Sequence, residues 1–127
     1  MLFRSSDWRP DHAFRLKLKK GPGAPPAVAL VENPDILAGL SAAGPQRPRL
    51  VVGFAAETND LEANARAKLE RKGCDWVVAN DVSEEGIMGG DHNEVLLVTR
   101  EGTERWPRAA KSGVAARLAA RIAGALA

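Results

Sequence analysis

Two neighbouring stretches near the middle of the chain are continuously apolar, and the segment between them shows helical periodicity. Leu50-Val51-Val52-Gly53-Phe54 and Trp76-Val77-Val78-Ala79 have the pattern of strands buried on both faces of a sheet. Between them Leu61, Ala65 and Leu69 recur every four residues among charged positions, which makes one apolar stripe of a helix. Asn59 or Asp60 can cap that helix, and it runs to about Lys72, where Gly73 supplies a left-handed stop. The stretch predicts strand, helix, strand. The strand ends become small and polar at Phe54-Ala55-Ala56-Glu57 and at Asn80-Asp81, where open α/β sheets hold ligands.

Around this βαβ unit the pattern is less regular. Residues 1–26 hold Pro10, Pro22, Pro25, Pro26, Gly21 and Gly23 beside Lys17-Leu18-Lys19-Lys20, and they predict an exposed arm or flap. Residues 27–31 predict a short strand. Asn33-Pro34-Asp35 then has the chemistry of a helix start, with Ile36, Leu37 and Leu40 as the buried side of a brief helix ending near Gly44-Pro45. Residues 83–92 read as a glycine-rich mobile loop, 94–99 and 103–106 as an antiparallel hairpin. Val114, Leu118, Ile122 and Leu126 mark a closing helix.

If the strands at 27–31, 50–54 and 76–79 are parallel neighbours, their tips share one sheet edge, the expected nucleotide site. The backbone from Pro34 to Leu37 would offer amides there. Lys68 and Lys72 are four apart on one helix face, where two ammonium groups can hold phosphate. The bland reading of each is a solvated helix face beside Glu62 and Glu70. Asp7 would ordinarily be a turn residue, Asp35 a helix-start charge and Phe54 core.

Composition narrows the class. The 127 residues suit one core, 45% being hydrophobic and 27% charged. Eighteen basic and 16 acidic residues leave a net charge of +2, which argues against a nucleic-acid protein driven by bulk charge. No apolar run is long enough to span a bilayer and no signal-peptide core opens the chain. The lone Cys74 rules out an internal disulfide and fits a reducing compartment, so a cytoplasmic protein is expected. His12 and His92 lack partners at ligand spacing, and no metal site is expected from protein ligands.

Five blocks in order resemble the synthetase domain of the bifunctional coenzyme A biosynthesis protein, phosphopantothenate–cysteine ligase. They are Asp7-Trp8-Arg9-Pro10, Lys17-Leu18-Lys19-Lys20, Glu32-Asn33-Pro34-Asp35-Ile36-Leu37, Gly53-Phe54-Ala55-Ala56-Glu57-Thr58 with the spaced Lys68 and Lys72, and Ala79-Asn80-Asp81-Val82. The resemblance implies a three-layer, Rossmann-like α/β fold with a mainly parallel sheet and a C-terminal antiparallel hairpin, incomplete relative to the family. Residues 27–127 would be the C-terminal part of that domain.

The resemblance also implies the chemistry. Asp7, Lys17, Pro34, Asp35, Ile36, Leu37, Phe54, Lys68 and Lys72 match family nucleotide contacts, and Lys17 matches the flap lysine that closes over the activated intermediate. The co-substrate implied is CTP, with Mg2+. The carboxylate of 4′-phosphopantothenate attacks the α-phosphate to give an acyl-cytidylate and pyrophosphate, and the amine of cysteine then displaces CMP. A homodimer, or association with a complete homologue, is implied as well. The family's glycine-rich loop and its catalytic asparagine have no counterpart in this sequence. The alternative is therefore a truncated, non-catalytic nucleotide-binding or dimerisation fragment.

Overall fold

The computed structural model describes residues 7–12, 19, 21–23, 27–82 and 92–127. The chain divides into two compact units, Met1–Asp35 and Ile36–Ala127. Lys17, most of the expected flap and nearly all of the expected loop at 83–92 lie outside the described residues.

The first unit holds a two-stranded antiparallel ribbon, β1 (Trp8–Pro10) with β2 (Leu30–Glu32). Arg9 ties its end by donating to the Glu32 carbonyl at 2.9 Å and to Asn33 Oδ1 at 3.0 Å. The expected strand at 27–31 is thus shorter and later, and it pairs with β1 instead of joining the main sheet. Leu30 and Val28 are about half exposed, so this run lacks the two-faced burial of a central parallel strand.

The second unit is a four-stranded sheet in the order β3 (Val52–Glu57), β4 (Trp76–Asp81), β5 (His92–Thr99), β6 (Thr103–Ala110). β3 and β4 are parallel, and β4–β5 and β5–β6 are antiparallel. The expected α/β class and C-terminal hairpin are both present, and the sheet is mixed. Among the described residues its parallel share is one pairing, because the strand at 27–31 pairs with β1 and β5 and β6 return as antiparallel strands.

Helices cover both faces. On one, α1 (Ile36–Ser41) and α2 (Leu61–Lys72) pack Leu37, Leu61, Ala65 and Leu69 onto Ala55, Val77, Ala79, Leu96 and Val98. On the other, α3 (Lys111–Leu126) lays Val114, Leu118 and Ile122 over Trp76, Val78, Val95, Leu97 and Trp106. Alternate residues of β4 and β5 therefore enter different layers, which is why Trp76–Ala79 and Val95–Val98 are continuously apolar. Pro107 sits where β5–β6 register shifts, on the edge strand that tolerates a missing donor. α1 starts at Ile36, two residues after the expected Pro34. α2 ends as expected, with Gly73 at φ 67° donating to the Leu69 carbonyl.

Candidate functional site

The parallel pairing sets Ala56 beside Asn80 and Glu57 beside Asp81, so two of the three expected tips lie side by side. Val82 N–H donates to the Glu57 carbonyl at 2.9 Å and locks those tips together. The turn from β3 into α2 is closed by Asn64, whose side-chain amide donates to the Asn59 carbonyl at 3.0 Å. Asp60 takes the N-cap position in a left-handed conformation, φ 44°, without capping through its side chain.

Phe54 is 61% exposed on β3, so its ring is presented outward and is not core. Next to it, Gly53 permits a close approach: a Cβ there would stand 2.8 Å from Leu37 Cδ2 and 3.5 Å from Cys74 Sγ. Leu37 is thereby seated on β3, and Ile36, 67% exposed, begins the same helix. Lys68 reaches from α2 to donate to the Phe54 carbonyl at 2.6 Å. That bond uses one of the three ammonium donors and holds the charge alongside β3. Lys72 follows one turn on along the same helix face. Leu37, Lys68 and, through its helix, Ile36 are thus brought onto one face of β3 together with the Phe54 backbone, while the Phe54 ring stands on the opposite face.

In the first unit the Asn33 N–H donates to the Asp7 carbonyl at 2.8 Å, which puts Asp7 next to the segment carrying Pro34 and Asp35. Lys17 is outside the described residues. Beneath Leu37, burial pushes the Cys74 thiol above its ordinary pKa and leaves it protonated near neutral pH.

A cleft of about 590 Å³ lies beyond the tip of β4, at the strand ends expected to hold a ligand, and is lined by Asp60, Glu62, Asp81, Glu94, Arg105 and Arg108 among others. None of the expected nucleotide residues lines it. Its carboxylates outnumber its guanidiniums, and Arg105 pairs with Glu94, so the cleft repels a triphosphate. No group of three or more His, Cys, Asp or Glu among the described residues could hold a metal ion, and no helix among them is long and apolar enough to cross a membrane.

Residues 4–126 match the family described as DNA/pantothenate metabolism flavoprotein C-terminal domain. The coenzyme A biosynthesis bifunctional protein CoaBC of Mycolicibacterium smegmatis is 47% identical over 107 residues, covering 78% of this chain and 26% of that protein. CoaBC of Mycobacterium bovis is 41% identical over 129 residues, 95% of this chain and 30% of the relative. The crystal structure of the C-terminal domain of CoaBC superposes with a TM-score of 0.66 at 27% identity, covering 91% of this chain and 47% of that one. The DNA/pantothenate metabolism flavoprotein from Streptococcus pneumoniae shares the fold, with a TM-score of 0.60 at 20% identity over 80% of this chain and 44% of that one. The chain spans under a third of these curated relatives and about half of the solved domains. With nearly its whole length matched and the resemblance of the five blocks upheld, this chain belongs to the DNA/pantothenate metabolism flavoprotein C-terminal domain family.

Proposed function

We propose that this chain supplies the nucleotide-binding portion of a CTP-dependent ligase of coenzyme A biosynthesis, the one that joins 4′-phosphopantothenate to cysteine. The observation that carries the reading is the meeting of α1 and α2 on β3, at Gly53 and at the Phe54 carbonyl. Leu37 is seated on Gly53, and the Lys68 ammonium lies 2.6 Å from the Phe54 carbonyl. The exposed Phe54 ring stands on the face of β3 opposite Leu37, so its contact with a base is assigned on the resemblance, and Lys68 and Lys72 suit the phosphates. Asp7, Lys17, Pro34 and Asp35 are assigned to nucleotide binding on the resemblance alone, with Lys17 as the catalytic flap lysine.

A carboxylate is a poor electrophile until its oxygen is joined to a good leaving group. Attack of the 4′-phosphopantothenate carboxylate on the α-phosphate of CTP breaks the bond to the β-phosphate, forming an acyl-cytidylate and releasing pyrophosphate. The amine of cysteine then adds to the acyl carbon, loses a proton and expels CMP. The protein's part is positioning and charge stabilisation. Lys68 and Lys72 would offset charge on the phosphates, and Mg2+ would arrive with the triphosphate, since such ions are commonly held by phosphates with few protein ligands. Activity is assigned to a cytoplasmic homodimer, or to this chain together with a complete homologue.

Titration calorimetry of the purified chain with CTP and MgCl2 tests the reading. Saturable binding that is lost in Lys68→Ala supports it, and absence of heat with CTP overturns nucleotide binding by this polypeptide.

A further inference from the structure

Arg47 lies just past the short 3-10 turn Gly44–Gln46, at the opposite end of α1 from Ile36, and its guanidinium joins four separate pieces of backbone and side chain. Nε donates to the Ser41 carbonyl at 3.0 Å, where α1 ends. Nη1 donates to the Pro48 carbonyl at 3.1 Å. Nη2 donates to the Gly73 carbonyl at 3.4 Å, where α2 ends, and to Asp75 Oδ2 at 2.9 Å. The same Asp75 oxygen accepts the Val51 N–H at 2.7 Å, and the Asp75 N–H donates to the Val51 carbonyl at 2.9 Å. Both side chains of the pair are about three-quarters buried. One planar cation therefore holds the C-terminal ends of two helices, where its charge also complements their dipoles, and through Asp75 it fixes the entry to β3.

The three elements gripped in this way are those that carry the candidate nucleotide groups: α1 with Ile36 and Leu37, α2 with Lys68 and Lys72, and β3 with Phe54. α1 has six residues, so its far end lies only about 9 Å from Arg47's grip on Ser41. Nothing softer than a short, rigid helix separates that grip from Leu37 on Gly53. We infer that Arg47, braced by Asp75, is a positioning residue for the nucleotide site, setting α1 and α2 on β3 without touching the ligand. The inference rests on the proposed nucleotide binding for its functional consequence and on the hydrogen bonds above for its geometry.

Lysine at this position keeps the charge but cannot reproduce the fork that reaches Ser41, Gly73 and Asp75 together. The test uses the full chain as wild type, Arg47→Lys, Arg47→Ala and Asp75→Asn, each checked for a cooperative thermal transition. Two quantities are read: CTP–Mg affinity by calorimetry, and the NMR contact between the Leu37 methyls and the Gly53 α-protons. In every folded variant the contact weakens, and affinity falls by about 10- to 100-fold, the scale of an ångström misplacement of positioning groups. Added guanidinium ion restores affinity to Arg47→Ala but not to Arg47→Lys, which a general loss of stability would not produce. A folded variant that keeps either the Leu37–Gly53 contact or wild-type affinity overturns the inference. If wild type itself binds no CTP, the nucleotide reading fails separately, and the Leu37–Gly53 contact alone decides whether Arg47 positions α1.

Discussion

The Lys68 ammonium and the Phe54 carbonyl meet at 2.6 Å across the gap between α2 and β3, although 14 residues separate them in sequence. A charge-assisted bond to a single carbonyl at the surface contributes little to stability, below about 1 kcal/mol after solvent screening. Its consequence is directional. The ammonium is kept beside the β3 backbone and is not free to range through solvent.

Lys68→Met should therefore separate binding from folding. The apolar stem of Met packs much as the lysine stem does, so the thermal midpoint should stay within a few degrees of wild type. CTP affinity should fall by about tenfold or more, the loss expected for one charge-assisted contact. Calorimetry with and without added salt checks this, since the salt dependence of binding should also flatten in the variant. Equal affinity in the two proteins would remove Lys68 from the site.

Gly53→Ala places a methyl 2.8 Å from Leu37 Cδ2, too close unless Leu37 moves. The obstructing atom ends a flexible side chain, so the cost should be that of ordinary overpacking, about 1–3 kcal/mol by urea denaturation. Leu37→Ala should lower stability alone but partly relieve the strain of Gly53→Ala. A double-mutant cycle should then give a favourable coupling energy. Strict additivity would show that α1 is not seated on β3 in solution.

The parts of this fold that could be read from sequence were those fixed by periodicity. Trp76-Val77-Val78-Ala79 announces a strand covered on both sides, and Trp76 and Val77 do enter different layers. Gly73 announces the end of α2 because few other residues take its φ of 67° cheaply. The run at 27–31 looks similar by composition, yet β2 pairs with β1, since strand partners are chosen by long-range packing that composition does not encode. The same limit hid Arg47 and Asp75, which are 28 residues apart and carry no motif. Phe54 shows the converse. Its sequence neighbours suggest core, and only the surrounding block and the outward face of β3 reveal an exposed ring.

Glu104 should impose a measurable acid dependence. The Arg121 guanidinium donates to its carboxylate at 2.8 Å and holds the Glu104 pKa below the ordinary carboxylate value. A carboxyl group with a depressed folded-state pKa stabilises the fold fully above its unfolded pKa, near 4.5, and loses that contribution as pH falls toward the folded value. Both side chains are about 40% exposed, so screening keeps the effect under about 1 kcal/mol. Glu104→Gln should be less stable than wild type at pH 7, and the gap should shrink as pH falls below the ordinary carboxylate value of 4.5. A gap that stays constant through acid titration would assign the loss to packing against Trp106 instead.

Trp106 offers the strongest test of the three-layer arrangement. It is 1% exposed, lies beneath α3 with Val114, Leu118 and Ile122 in the same cluster, and has the Arg117 guanidinium 4.9 Å from its ring centre. Replacing it with alanine leaves a cavity between β5–β6 and α3, at a cost of about 3–5 kcal/mol. Arg117→Ala removes only the cation above the ring, and the exposed-side interaction limits that loss to about 0.5–1 kcal/mol. The damage from Trp106→Ala should centre on α3, whose amides should exchange faster, while those of α2 on the other face change less. Equal loss of protection in α2 and α3 would mean that the two helical layers do not rest on independent faces of the sheet.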